Sequence, residues 1–131
     1  MKPMHRVVSA LIEVDGRFLI TQRRPEAVLP LLWEFPGGRV EEGETDEQAL
    51  RRELWERMAV ESTVGALVVH VTHSYAAYDV DMRVYRTTLD PAVAPRPMRV
   101  HDIRWVAEDD LPNYQFPGAD HRTVDLLLLG D

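Results

Sequence analysis

Apolar and β-branched residues fill positions 5 to 14, and after Asp15-Gly16 the run Arg17-Phe18-Leu19-Ile20-Thr21-Gln22 resumes the same character. Asp-Gly between two such runs is a two-residue turn signal, so the chain is predicted to open as a β-hairpin. Pro25, Pro30 and Pro36 then exclude a regular element, and residues 23 to 36 read as a loop running into Gly37-Gly38. A loop of that length in a small domain is usually functional. Thr45 followed by Gln48 has the spacing of a capping box, and Ala49, Leu50, Leu54 and Met58 recur at helical intervals. Residues 46 to 58 are therefore predicted to form an amphipathic helix with its acids on the opposite side.

Further along, residues 64 to 71 are β-rich, and 78 to 89 alternate through Val80, Met82 and Val84, predicting two more strands. Pro91, Pro95 and Pro97 mark an irregular connection. Residues 102 to 106 read as a short strand, 108 to 112 as a turn stopped by Pro112, and a closing helix begins at Asp120 or Thr123 and runs through Leu129. Strands interleaved with two helices, without strict alternation, predict an α/β fold with a mixed β-sheet sandwiched between α-helices. No repeat breaks the chain, and residues 1–131 are expected to form a single domain.

Composition narrows the chemistry. The chain has 131 residues, no cysteine, and 15 Lys+Arg against 22 Asp+Glu, a formal charge of −7. Absence of cysteine removes disulfide scaffolds, thiolate nucleophiles and Cys-based metal sites together. No segment approaches the length of a membrane span and the first residues lack a signal-type apolar core, so a cytoplasmic protein without membrane contact is expected. The acidity argues against an extended nucleic-acid surface, and Gln22-Arg23-Arg24 is too short to supply one.

That acidity is concentrated. Residues 41 to 56 hold seven acids and two bases. Glu53 and Glu56, three apart on a helix, project from one face and repel unless a cation lies between them. Mg²⁺ favours oxygen ligands and is commonly shared between one or two carboxylates and substrate phosphates, while a glycine pair lets backbone approach such a site closely. The same acids would also suit a solvated helix face, with Arg52 pairing to Glu56.

The segment from Gly38 to Val60 resembles the Nudix box, G-x5-E-x7-R-E-U-x-E-E-x-G-U with U aliphatic. Gly38, Glu44, Arg52, Glu53, Leu54, Glu56 and Val60 match, with both long spacers intact. The resemblance implies a Nudix fold and metal-dependent hydrolysis of a nucleoside diphosphate linked to another group, with Mg²⁺ or Mn²⁺ as cofactor. Carried over by position, it implies Glu53 and Glu56 as metal ligands with the Gly37 carbonyl. Glu53 is also implied as the group that positions or deprotonates water, Glu44 as a supporting acid and Arg52 as the residue orienting the carboxylates. Two positions depart from the pattern: Arg57 stands where the family has a second metal-ligand Glu, and Ala59 where it has Gly. Arg57 follows Glu53 by four residues, so it is placed to pair with that carboxylate or to bind phosphate directly.

Outside the box, Leu32-Trp33-Glu34-Phe35-Pro36-Gly37-Gly38 and Phe116-Pro117-Gly118-Ala119-Asp120 resemble the MutT-like branch, which cleaves nucleoside triphosphates to monophosphate and pyrophosphate. This implies Asp120 as a base reader, with Arg23 and Phe35 as base or sugar contacts and Gly38 at the substrate. A helix N-cap is the plainer role for Asp120, and core packing for Trp105 and Phe116. Asp79, Asp81 and Asp102 read as solvated acids. His70 and His73 face opposite sides of a strand and cannot share a metal. The expected partner is a nucleotide, with a monomer or homodimer acting on it. A nucleotide sugar or an RNA 5′ end as substrate stays open, as does a nucleotide-binding protein weakened by Arg57.

Overall fold

A computed structural model describes residues 1–130; Asp131, the last residue of the expected domain, lies outside them. The strands are β1 (Met4–Leu11), β2 (Glu13–Val14), β3 (Arg17–Gln22), β4 (Trp33–Glu34), β5 (Gly37–Arg39), β6 (Ser62–Ser74), β7 (Asp79–Leu89) and β8 (Asp102–Ala107). The helices are α1 (Asp46–Met58) and α2 (His121–Leu129), with short 3₁₀ turns at Glu108–Asn113 and Gly118–Asp120.

The expected mixed sheet is present, in the order β5-β1-β7-β6, with β1 parallel to β7 and antiparallel to β5. A second, antiparallel sheet was not foreseen: β3 pairs with β2, β4 and β8. This division alters the opening hairpin. Asp15 and Gly16 adopt the positive φ values of 53° and 77° that the turn requires, and Glu13-Val14 pairs with Arg17-Phe18. The pairing stops there, because β1 lies instead along β7, from Met4 opposite Asp79 to Leu11 opposite Arg86. The buried Ile12 sits between the two strands and marks the change of sheet. A parallel partner so far along the chain leaves no mark on local periodicity.

Alternation along β1 then separates two cores. Val8, Ala10 and Ile12 pack with Leu50, Leu54 and Met58 of α1, whereas Leu11 joins Phe35, Met82, Val84 and Phe116 in the other core. Each leucine buried beneath α1 contributes about 1.5–3 kcal/mol. The helix starts where the sequence predicts: the Gln48 N–H donates to Thr45 Oγ1 at 3.1 Å and the Thr45 N–H to Gln48 Oε1 at 3.0 Å.

Its other end is held by a segment silent in the sequence. The Arg96 N–H donates to the Met58 carbonyl at 3.0 Å, and the Met98 and Arg99 N–H groups donate to the Arg57 carbonyl at 3.0 and 3.1 Å. These bonds satisfy carbonyls that the last helical turn leaves unpaired. The irregular connection is thus a strap across the C-terminus of α1.

Candidate active site

Glu53 and Glu56 lie on one face of α1, and a single guanidinium ties them together. Arg52 Nη1 reaches Glu53 Oε2 and Glu56 Oε2, each at 3.3 Å. The same side chain donates a two-pronged pair of bonds to Glu44, at 2.7 and 2.9 Å, and a further bond to the Arg39 carbonyl at 3.0 Å. Glu44 also accepts the Glu41 N–H at 2.9 Å. Hydrogen bonding from Arg52, then from that N–H, holds the Glu44 carboxyl down at about 2, and Glu44 in turn raises the Arg52 guanidinium. Glu44 therefore fixes Arg52, which fixes the two carboxylates.

Glu53 itself is only 8% exposed, and its carboxylate lies against Gly38, where any Cβ would collide with it. The other Glu53 oxygen accepts from Arg57 Nε at 2.8 Å, so two guanidinium groups bracket this carboxylate. Arg57 also stands 3.8 Å from Glu34.

Two cavities meet here. One, of about 380 Å³, lies against the mixed sheet on the face away from α1, bounded by Ser9, Met82, Phe35, Gly37, Gly38 and Asp120. Its size suits a nucleoside. Asp120 is 4% exposed, and its carboxyl is pushed well above the ordinary range by burial and then by the Glu34 charge; the Arg23 charge and the Phe35 N–H act the other way. Phe35 stacks on Phe116, ring centroids 5.4 Å apart, and the Ala119 N–H donates to Tyr75 Oη at 2.9 Å, which pins the Asp120 turn. The second cavity, of about 340 Å³, is bounded by Glu41, Glu53, Glu56, Arg52 and Arg99. Arg23 and Arg57 line both.

The fold thus gathers the residues predicted from sequence. Arg23, Phe35, Gly37, Gly38 and Asp120 share the larger cavity; Glu53 and Glu56 face the smaller, with Arg52 beside them and Glu44 behind Arg52. Asp120 precedes α2, which begins at His121, but makes no side-chain cap bond, so the plainer N-cap role does not hold. Asp79 pairs with Lys2, Asp81 with His70, and Asp102 with Arg104. None of these three acids lines either cavity. Trp105 packs against the core beneath α1 and Phe116 is buried, as expected of core residues.

Sequence reading did not single out Glu34, Arg99, Tyr75 or Tyr78. Glu34 bonds Arg23 at 3.1 Å, and Arg99 stands 3.8 Å from Glu56. Glu34 stands in the segment from Leu32 to Gly38, and its place between the buried Trp33 and Phe35 was the available signal. Arg99 carried none, because a strap sets its position.

The NUDIX domain family model matches residues 7–126. A CTP pyrophosphohydrolase of Escherichia coli K12 is 49% identical over 65 residues, a match spanning 50% of this chain and 48% of that one, so the chain covers only about half of this relative. An 8-oxo-dGTP diphosphatase of Proteus vulgaris is 31% identical over 87 residues, 66% of this chain and 78% of the relative. The solution structure of MutT, a Nudix hydrolase from methicillin-resistant Staphylococcus aureus 252, superposes with a TM-score of 0.76 at 34% identity, covering 100% of both chains. The chain belongs to the Nudix family. Within it, the chain is a MutT-like Nudix hydrolase, an enzyme of the pyrophosphohydrolase kind for which its relatives are named.

The family implies a divalent metal, and the donors offered for it are of the oxygen type that such an ion takes. Glu53, Glu56 and the Gly37 carbonyl are hard oxygen donors on adjoining elements. No cluster of three acidic or histidine side chains able to hold an ion occurs among the described residues. Two carboxylates suit Mg²⁺ when substrate phosphate and water complete the coordination.

Proposed function

We propose that this enzyme hydrolyses a nucleoside triphosphate to the monophosphate and pyrophosphate, with Mg²⁺ or Mn²⁺ required. The observation that carries the reading is the junction of a nucleoside-sized cavity with a carboxylate face across Gly37-Gly38, with Arg23 and Arg57 lining both sides. The base enters the larger cavity, where Asp120 and Arg23 present hydrogen-bonding groups and Phe35 an aromatic wall. The phosphate chain crosses into the smaller cavity. When bound, the metal neutralises phosphate charge and polarises the phosphorus centre.

The chain's own residues supply orientation. Arg52, locked by Glu44, ties Glu53 and Glu56 together at the wall of the smaller cavity. Glu53 Oε positions the attacking water and accepts its proton as the new P–O bond forms and the bridging P–O bond breaks, releasing pyrophosphate. Glu56 and the Gly37 carbonyl would hold the metal together with Glu53.

The names of the relatives, a CTP pyrophosphohydrolase and an 8-oxo-dGTP diphosphatase, support a panel of canonical and oxidised nucleoside triphosphates as first substrates. The test is pyrophosphate release from CTP, dGTP, 8-oxo-dGTP and a nucleotide sugar, each with Mg²⁺, with Mn²⁺ and with chelator. Metal-dependent release from one triphosphate is expected. Activity confined to the sugar, or unaffected by chelator, would refute the proposal.

A further inference from the structure

Arg57 occupies an unusual position for a cation. Its Nε is 2.8 Å from Glu53 Oε1, on the carboxylate that the proposed reaction needs for metal and water. Its Nη1 stands 3.8 Å from Glu34, which lines the nucleoside cavity. The side chain lines both cavities, so a nucleotide whose base lies in one and whose phosphates lie in the other passes directly over it. Its backbone is fixed as well, since the Arg57 carbonyl accepts from Met98 and Arg99 of the strap.

These contacts set up an exchange. Glu53 carries a guanidinium on each oxygen, from Arg57 and Arg52, and both compete with a metal for the same lone pairs. A guanidinium presents its donors in a planar fork that matches phosphate as well as carboxylate. A phosphate chain arriving over Arg57 offers it more negative charge than the single carboxylate does. We propose that Arg57 is a phosphate-binding residue that leaves Glu53 for the substrate's phosphates, so that nucleotide binding unlocks the metal site. In the apo enzyme Arg57 suppresses metal binding, and with nucleotide bound the freed Glu53 oxygen receives the ion. This rests on the nucleotide-hydrolase reading above, and assigns to position 57 the opposite charge and a different ligand from those of the Glu in the family pattern.

The test measures binding. Mn²⁺ affinity of the nucleotide-free enzyme is read from the free-ion electron paramagnetic resonance signal. Affinity for the hydrolysis-resistant α,β-methylene analogues of CTP and dGTP is read by calorimetry in chelator. Wild type is compared with Arg57→Gln and Arg57→Lys. The two effects of Arg57→Gln are expected to have opposite signs: Mn²⁺ binds about tenfold tighter to the free enzyme, and metal-free analogue binding weakens about tenfold. Arg57→Lys, which keeps the charge but loses the fork, is expected to recover part of the analogue affinity.

If Arg57→Gln tightens Mn²⁺ yet leaves metal-free analogue affinity unchanged, Arg57 is only a lock on Glu53 and the phosphate role is overturned. Unchanged Mn²⁺ affinity overturns the unlocking. An analogue that binds wild type neither with nor without Mn²⁺ refutes the nucleotide reading and the proposal with it. That result is separable, because the effect of Arg57→Gln on Mn²⁺ is read without any nucleotide.

Discussion

The carboxylate of Glu53 rests on Gly38, in space that the side chain of any other residue would claim. Gly38 belongs to β5 and Glu53 to α1, so the absence of one Cβ sets the distance between the strand and the reactive helix face. Gly38→Ala forces the carboxylate aside while leaving the cores intact. Its kcat is expected to fall about 100-fold or more with little change in the far-ultraviolet circular dichroism, as misplacement of a reacting group by about 1 Å implies. Near-wild-type turnover by this variant would show that Glu53 acts from elsewhere.

Glu44 touches neither cavity, yet it sets the Arg52 fork. Glu44→Gln is expected to lower kcat about tenfold with a much smaller change in KM, because the carboxylate face loses alignment and not substrate contacts. The same variant changes acid stability. The folded carboxyl titrates at about 2, below its ordinary 4.5, so its contribution to stability is present above 4.5 and is lost as pH falls towards about 2. Thermal melts across that window are expected to fall more steeply for the wild type than for the variant; parallel curves would remove Glu44 from the account.

Asp120 has the opposite sign. Burial raises its folded pKa, so the native chain keeps the proton to higher pH than the unfolded chain does. Stability therefore declines as pH rises from the ordinary carboxylate range through the raised value. Asp120→Asn, which cannot ionise, is expected to flatten that decline above the ordinary carboxylate range, and to reorder kcat/KM among the bases. A base preference identical to wild type would exclude Asp120 from base reading.

Ala59 closes α1 in the left-handed region, at φ 57° and ψ 43°, with its N–H donating to the Trp55 carbonyl at 2.9 Å. The Gly to Ala departure at this position therefore carries a conformational cost, since a Cβ is strained there. Ala59→Gly is expected to stabilise the fold by about 1 kcal/mol in urea unfolding, with activity unchanged. A neutral or destabilising result would mean that the Ala59 methyl packs well enough to offset the strain.

Legibility in the sequence followed the range of the interactions involved. Thr45, Gln48 and the apolar spacing of α1 gave its limits, because capping and helical periodicity are local. The Asp15-Gly16 turn was legible for the same reason, while the run before it, continuous in character from 5 to 14, is two strands. Its alternation was real, but β1 answers to β7 and β2 answers to β3.

By itself, the sequence determined that Glu53 and Glu56 share one face of a helix with Arg52 within reach of Glu56, because helical geometry brings residues three and four apart together and the capping box fixes where the helix starts. It also determined the family, through the spacing from Gly38 to Val60. Only the tertiary structure decided that burial, with the Glu34 charge beside it, raises the Asp120 carboxyl, that the strap from Arg96 to Arg99 caps α1, and that Arg57 lies beside Arg23 and Glu34 where two cavities share a wall. Those relationships join segments far apart in the chain, and their energy comes from burial and charge in a shared space that no local pattern encodes.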